Sequence, residues 1–220
     1  MVCLTALALV FLGIAPDQLS GEAMLKRVEA EMARVQDYVV TLDVVVDVER
    51  LNVPPMHVQM FYKHPDKFHF ESTGFALLPR EGLSFNVARV LSQFSIVEVA
   101  QSNSHVSLTL RPQKQTARAG RLELTIDTVL WKPVVLKSYL VDGRTMTARF
   151  QYDQFDGYIM PSHLRVEFVA SEEETTDQPI TMPGALPRAQ VPRSGTIDIR
   201  YSGYKINTGL SDDIFLPKEE

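Results

Sequence analysis

At Tyr38 the sequence adopts a two-residue period. Through position 50, Tyr38, Val40, Leu42, Val44, Val46 and Val48 fall on one side of an extended chain, and Thr41, Asp43, Asp47 and Glu49 on the other. That is the pattern of a strand with one face buried. The alternation returns over 56–63, 67–72, 95–100, 105–111, 121–130, 134–142, 145–153, 158–170 and 196–205. Pro65-Asp66, Asp142-Gly143 and Asp156-Gly157 supply turns between them. Connections this short make the sheet antiparallel and meander-like. Such a run of half-buried strands must share one broad apolar face, and something must cover it.

Few helices are present to do so. Over 21–36, Met24, Leu25, Val28, Met32 and Val35 recur at helical spacing behind Ser20, a good N-cap. A short helix is expected over 85–94, preceded by Gly74-Phe75-Ala76-Leu77-Leu78-Pro79, so that 73–94 reads as a hydrophobic flap. A helix over 21–36 is only about 24 Å long. The expected fold is therefore α+β, mostly antiparallel β: a curled sheet with an amphipathic N-terminal helix and a flap helix over its concave side. Either side chains fill the concavity, or it keeps a pocket for an apolar ligand. In the second case the lining is Val40, Leu42 and Val44 on the first strand, Met60, Phe68 and Phe70 on the next hairpin, then Leu124, Ile126, Phe150, Val166 and Phe168. Phe75, Leu77, Leu78, Phe85 and Leu91 would form the moving flap. Each methylene removed from water contributes about 0.8 kcal/mol, so acyl chains would suit such a pocket.

Residues 4–15 are apolar and uncharged, the length of a signal-peptide core and short for a membrane span. Export is expected, with a leader over 1–20 cleaved between about 15 and 23 and a single domain over 21–220. Cys3, the only cysteine, precedes that run, so the exported chain would have no disulfide and no thiol chemistry. The net charge of −5 and the lack of a basic stripe argue against nucleic acid. His57, His64, His69, His105 and His163 do not converge in sequence, so no metal is expected. No nucleophile elbow or phosphate loop is present, and the chain reads as a non-enzyme without a cofactor. Trp131 is expected to pack a turn. The stretch 171–194 carries Glu172 to Glu174 and then Pro179, Pro183, Pro187 and Pro192, a loop composition.

Lys63-His64-Pro65-Asp66-Lys67-Phe68 resembles the strand-turn-strand signature of the LolA/LolB superfamily of periplasmic lipoprotein carriers. Weaker echoes are Trp131-Lys132-Pro133, Asp156-Gly157-Tyr158 with Pro161, and the closing stretch from Asn207 to Phe215. The resemblance covers roughly 21–216. It implies an incomplete barrel, or half-barrel, that accepts acyl chains of a lipoprotein or lipid and delivers them towards the outer membrane. Membrane-bound donor and acceptor proteins would be its partners, and the carrier a soluble periplasmic monomer. His64 departs from the pattern: the best-known carriers have a lid-holding arginine there, and a neutral imidazole cannot reproduce its forked hydrogen bonds. With the Pro-rich loop, this points to a divergent member whose cargo differs. An alternative on the same scaffold is an envelope sensor or interaction module that binds lipid or protein to regulate a partner. A hydrolase with an unrecognised site stands third.

Overall fold

The computed structural model describes residues 20–49, 51–72, 87–114, 119–169 and 194–216. Helix α1 spans Gly21–Met32 and is capped by Ser20, whose hydroxyl accepts the Ala23 amide at 3.2 Å. It buries Met24, Leu25 and Val28. Strands follow as β1 Asp37–Val48, β2 Leu51–Asn52, β3 Met56–Lys63 and β4 Lys67–Ser72. Helix α2, Val87–Gln93, leads into β5 Phe94–Ser102 and β6 His105–Pro112. The chain continues through β7 Ala119–Asp127, β8 Lys132–Leu140, β9 Thr145–Phe155 and β10 Tyr158–Val169 to β11 Ser194–Ile206, and a 3-10 turn covers Asp212–Phe215.

All the strand pairs are antiparallel, in the order β4-β3-β1-β11-β10-β9-β8-β7-β6-β5, with β2 pairing on β1. Because β11 docks between β1 and β10, two meanders merge into one sheet. Its outer strands, β4 and β5, do not pair, so the curled sheet stays an open half-barrel. In the chain those two edges are connected through residues 73–93, which include α2. The flap residues Phe75, Leu77, Leu78 and Phe85, the leader and nearly all of the Pro-rich stretch lie outside the described residues.

Parity holds along the strands. In β1 Val40, Leu42, Val44 and Val48 are buried, and in β3 Met56, Val58, Met60 and Tyr62 are. Register then places Val46, Ile197, Val166, Ala148, Leu136, Leu124, Leu108 and Val99 side by side across β1, β11, β10, β9, β8, β7, β6 and β5. The apolar face is thus continuous.

Two buried clusters divide that face. The first unites β1, β3, β9, β10 and β11 around Leu42, Met60, Leu164 and Ile199. The second packs Met24, Leu25 and Val28 of α1 and Val87 of α2 against Leu108, Leu110, Leu124 and Ile126. Leu136 touches both. Close approach seats α1 on β5, where a Cβ on Gly21 would stand 2.9 Å from Ile96 Cδ1. The helix stops before position 36 because a distant residue takes over its backbone. Asn207 accepts the Gln36 amide on Oδ1 at 2.7 Å and donates from Nδ2 to the Arg34 carbonyl at 3.3 Å.

Candidate functional site

Of the expected lining residues, Val40, Leu42, Val44, Met60 and Val166 meet in the first cluster, with Phe68, Phe70 and Phe150 against it. Leu124 and Ile126 lie in the second, beneath the helices. Phe168 lies over Gly195, where a Cβ would come 2.5 Å from its ring. Leu91 sits on α2, half-buried against the second cluster. Val40, Leu42, Met60, Leu124 and Ile126 have 0% exposure, so the middle of the face is covered in this conformation.

Open space is found instead at the end of the sheet where β1 starts and β3 and β11 finish. A cavity of about 80 Å³ lies between Met32 and Val35 at the end of α1 and the side chains of Tyr38, Phe150, Tyr152 and Met160. It adjoins a larger one of about 330 Å³, flanked by Arg27, Glu31, Arg34, Trp131 and Tyr158. Val35, Lys132 and Ile159 line both. Only Phe150 among the expected lining residues borders this space. Apolar alternation could find the face, but not the charged residues that α1 and the β7–β8 turn bring to its end.

Aromatic rings build the floor. The Tyr38 ring is tilted against Tyr62 at 4.9 Å and meets Tyr204 edge-on at 5.7 Å, and Tyr62 is tilted against Phe68 at 5.0 Å. Three hydroxyls of this region donate to carbonyls: Tyr152 to Pro133 and Tyr204 to Pro161, each at 2.7 Å, and Tyr62 to Pro65 at 3.2 Å. Burial raises the Tyr62 phenol to about 12, helped by the Asp66 charge. Burial also raises Tyr38, Tyr152, Tyr201 and Tyr204, with neighbouring tyrosines adding to the effect on Tyr38, Tyr152 and Tyr204.

The sequence signatures meet at this rim as a polar clasp. Asp37, 4% exposed, accepts the amides of Thr208, Gly209 and Leu210 at 2.8, 3.0 and 3.3 Å, as well as the Thr208 hydroxyl. Asn207 reaches this position with φ of 54°, a left-handed conformation asparagine tolerates. From the β3–β4 hairpin, Lys63 donates to the Leu210 carbonyl at 2.8 Å, and Lys63 and Lys67 bracket Asp212 at 2.7 and 3.0 Å. Their hydrogen bonds hold the Asp212 carboxyl below its usual range. In the turn between them the His64 amide bonds to the Gln36 carbonyl at 2.7 Å. Thus Lys63 to Phe68 and Asn207 to Phe215 act as one unit that ties the last strand's exit to the first strand's start.

Elsewhere the histidines pair on the outer face, His57 with Asp43 and His163 with Asp198. No group of three or more His, Cys, Asp or Glu able to hold a metal occurs among the described residues.

The architecture defines a class: an open antiparallel half-barrel with helices on its concave side. Three solved structures share it, each at a TM-score of 0.55. One is a Vibrio parahaemolyticus domain assigned by name to outer membrane lipoprotein sorting, 12% identical, matched over 87% of this chain and 95% of that one. Another is a LolA superfamily protein of Nitrosomonas europaea, 12% identical over 90% and 98%. A third is a DUF1329 family protein of Desulfovibrio piger, 14% identical over 89% and 95%. The sequence itself matches no protein-family model and no curated protein. The likeness is therefore one of fold, and the fold is LolA-like.

Proposed function

We propose that this protein is a periplasmic carrier that reversibly binds the acyl chains of a lipid or lipoprotein and moves them towards the outer membrane. The observation that carries this reading is the unbroken apolar row from Val46 to Val99 on the concave side of an open, LolA-like sheet, with a cavity at its aromatic end. A closed barrel would have no reason to leave β4 and β5 unpaired. Because Val40, Leu42 and Met60 are fully covered, cargo must displace whatever lies over them. The segment 75–94, which includes α2 and reaches the start of β5, is the gate in this reading. Val40, Leu42, Val44, Met60, Phe68, Phe70 and Phe150 then line the opened cavity, and Leu124, Ile126, Val166 and Phe168 extend it. Donor and acceptor proteins at the membranes would load and unload it without covalent chemistry.

Among the described residues no helix is long and apolar enough to cross a membrane. Native mass spectrometry of protein purified from its own host, together with titration of a fluorescent fatty acid, tests the proposal. Co-purifying lipid and saturable probe binding are expected. Absence of both would overturn it, and a stable protein partner recovered in their place would favour the regulatory module.

A further inference from the structure

The larger cavity is polar in a way that an acyl-chain site does not require. In a chain of net charge −5, it is lined by three cations, Arg27, Arg34 and Lys132, and one carboxylate, Glu31. That carboxylate is engaged, since Glu31 Oε2 pairs with Arg34 at 3.1 Å. Arg27 lies over the Trp131 ring at 4.4 Å from its centroid and pairs with no carboxylate among the described residues. Trp131 holds its place by a left-handed turn, φ of 51°, at the tip of the β7–β8 hairpin. Contact with the ring face leaves the guanidinium's N–H donors available to another acceptor.

Lys132 is the more telling group. The residue is 8% exposed, yet among the described residues its ammonium has a single acceptor, the Glu31 carbonyl at a long 3.4 Å. An ammonium carries three donors, and burying it is costly unless they are met. Its pKa is lowered by burial; Glu31 partly opposes the shift and Arg34 adds to it. This buried charge stands where the two cavities meet. On one side are Arg27 and Arg34, and on the other Met32, Tyr38, Phe150 and Met160. A free anion would have no use for the apolar side, and a neutral chain no use for the cations.

We propose that the cargo is an acidic amphiphile: a carboxylate or phosphate headgroup sits on Lys132 with Arg27 and Arg34, and the first methylenes of its chain enter the cavity floored by Tyr38 and Phe150. This rests on the carrier reading and narrows it to lipids that bear an oxyanion. Val35 and Ile159, shared by both cavities, would contact the junction of head and chain. Charge-assisted hydrogen bonds to three cations make the headgroup a large share of selectivity.

The test uses the full chain and a dansylated fatty acid beside its methyl ester, with identical chains and only the charge removed. The acid is expected to bind about tenfold or more tightly than the ester, a difference of about 1.4 kcal/mol. Lys132→Met should bring that ratio close to one by weakening the acid alone. Arg34→Gln, at a side chain 65% exposed, should lower the ratio part of the way, and gives the readout if the first variant fails to fold by circular dichroism. Lipid extraction from vesicles of phosphatidylglycerol or phosphatidylcholine separates the sources, since both carry a phosphodiester but only the former has a net negative head: preference for the former assigns an anionic phospholipid, and acid selectivity without that preference assigns a carboxylate. Equal affinity for acid and ester overturns the proposal and leaves the carrier reading intact. So does displacement by inorganic phosphate at the acid's own affinity, which would mark a free-anion site. Binding of neither ligand overturns both.

Discussion

The two halves of the sheet are built from different materials. Under α1 and α2, the buried set is almost wholly aliphatic, with Leu108, Leu110, Leu122, Leu124, Ile126 and Val106 met by Leu25 and Val28. Across Leu136, the other half mixes Val and Leu with Met56, Met60, Met160, Tyr201 and Tyr204, and packs Tyr38, Phe68, Phe70, Phe150 and Phe155 against them. Branched aliphatic side chains interdigitate in few ways, so a helix set on them makes a fixed plug. Methionine adapts its shape, and aromatic rings present broad apolar faces with polar tips that can be anchored elsewhere. The second half suits a wall that re-forms around a guest. It is held at its rim by the Asp37 and Lys63 clasp, as no described helix is seated across it as α1 is on β5 and β8.

That contrast can be broken most directly in the plug. Leu25 has 0% exposure, and Leu25→Ala should cost about 2–5 kcal/mol in urea unfolding. A loss well under 1 kcal/mol would mean that α1 does not stabilise its half. In the aromatic half the corresponding weak point is polar. Asp37→Ala strands three amides of the closing loop and should cost about 2–3 kcal/mol, with faster hydrogen exchange at Thr208 to Leu210. Unchanged exchange would show that the clasp is not what holds the rim.

Alkali gives the gentlest separation. Because the folded-state phenol of Tyr62 is raised from 10.0 to about 12, the folded state holds its proton more tightly than the unfolded chain. Its contribution to stability is complete below pH 10 and is lost as the pH rises through about 12. Tyrosinate absorbance should therefore lag behind that of free tyrosine, and the Tyr38–Tyr62 region should loosen before the aliphatic half. A midpoint at the ordinary value would show that the aromatic floor is solvated.

Much of this was legible in the sequence, and the limits have physical causes. The strand periods, the Ser20 cap and the inward set on β1 and β3 all follow from local geometry. The helix over 21–36 is predicted too long because its end depends on Asn207, which arrives from the far end of the chain. Strand β7 closes at Asp127, earlier than the pattern over 121–130 implies, because Asp127 Oδ1 accepts the amides of Val129 and Leu130 and turns the chain. The candidate site was the least legible part. Apolar alternation marks Phe150, but Trp131 reads as turn packing, Lys132 only as part of a weak motif echo, and Arg27 and Arg34 as the polar side of an amphipathic helix until the fold sets them around one space.

The sequence by itself determined which side chains of each strand face inward, because a two-residue period is imposed by the covalent chain, and it determined that their apolar surface must be shared. Tertiary structure alone decided that Val46 stands in line with Leu124 and Val99, that Leu136 divides a helix-covered aliphatic half from one rich in methionine and aromatic rings, and that a buried lysine lies where two cavities join. Those outcomes depend on strand order and register. Both are selected by contacts between residues far apart in the chain, such as Asp37 with Gly209, and no local pattern records them.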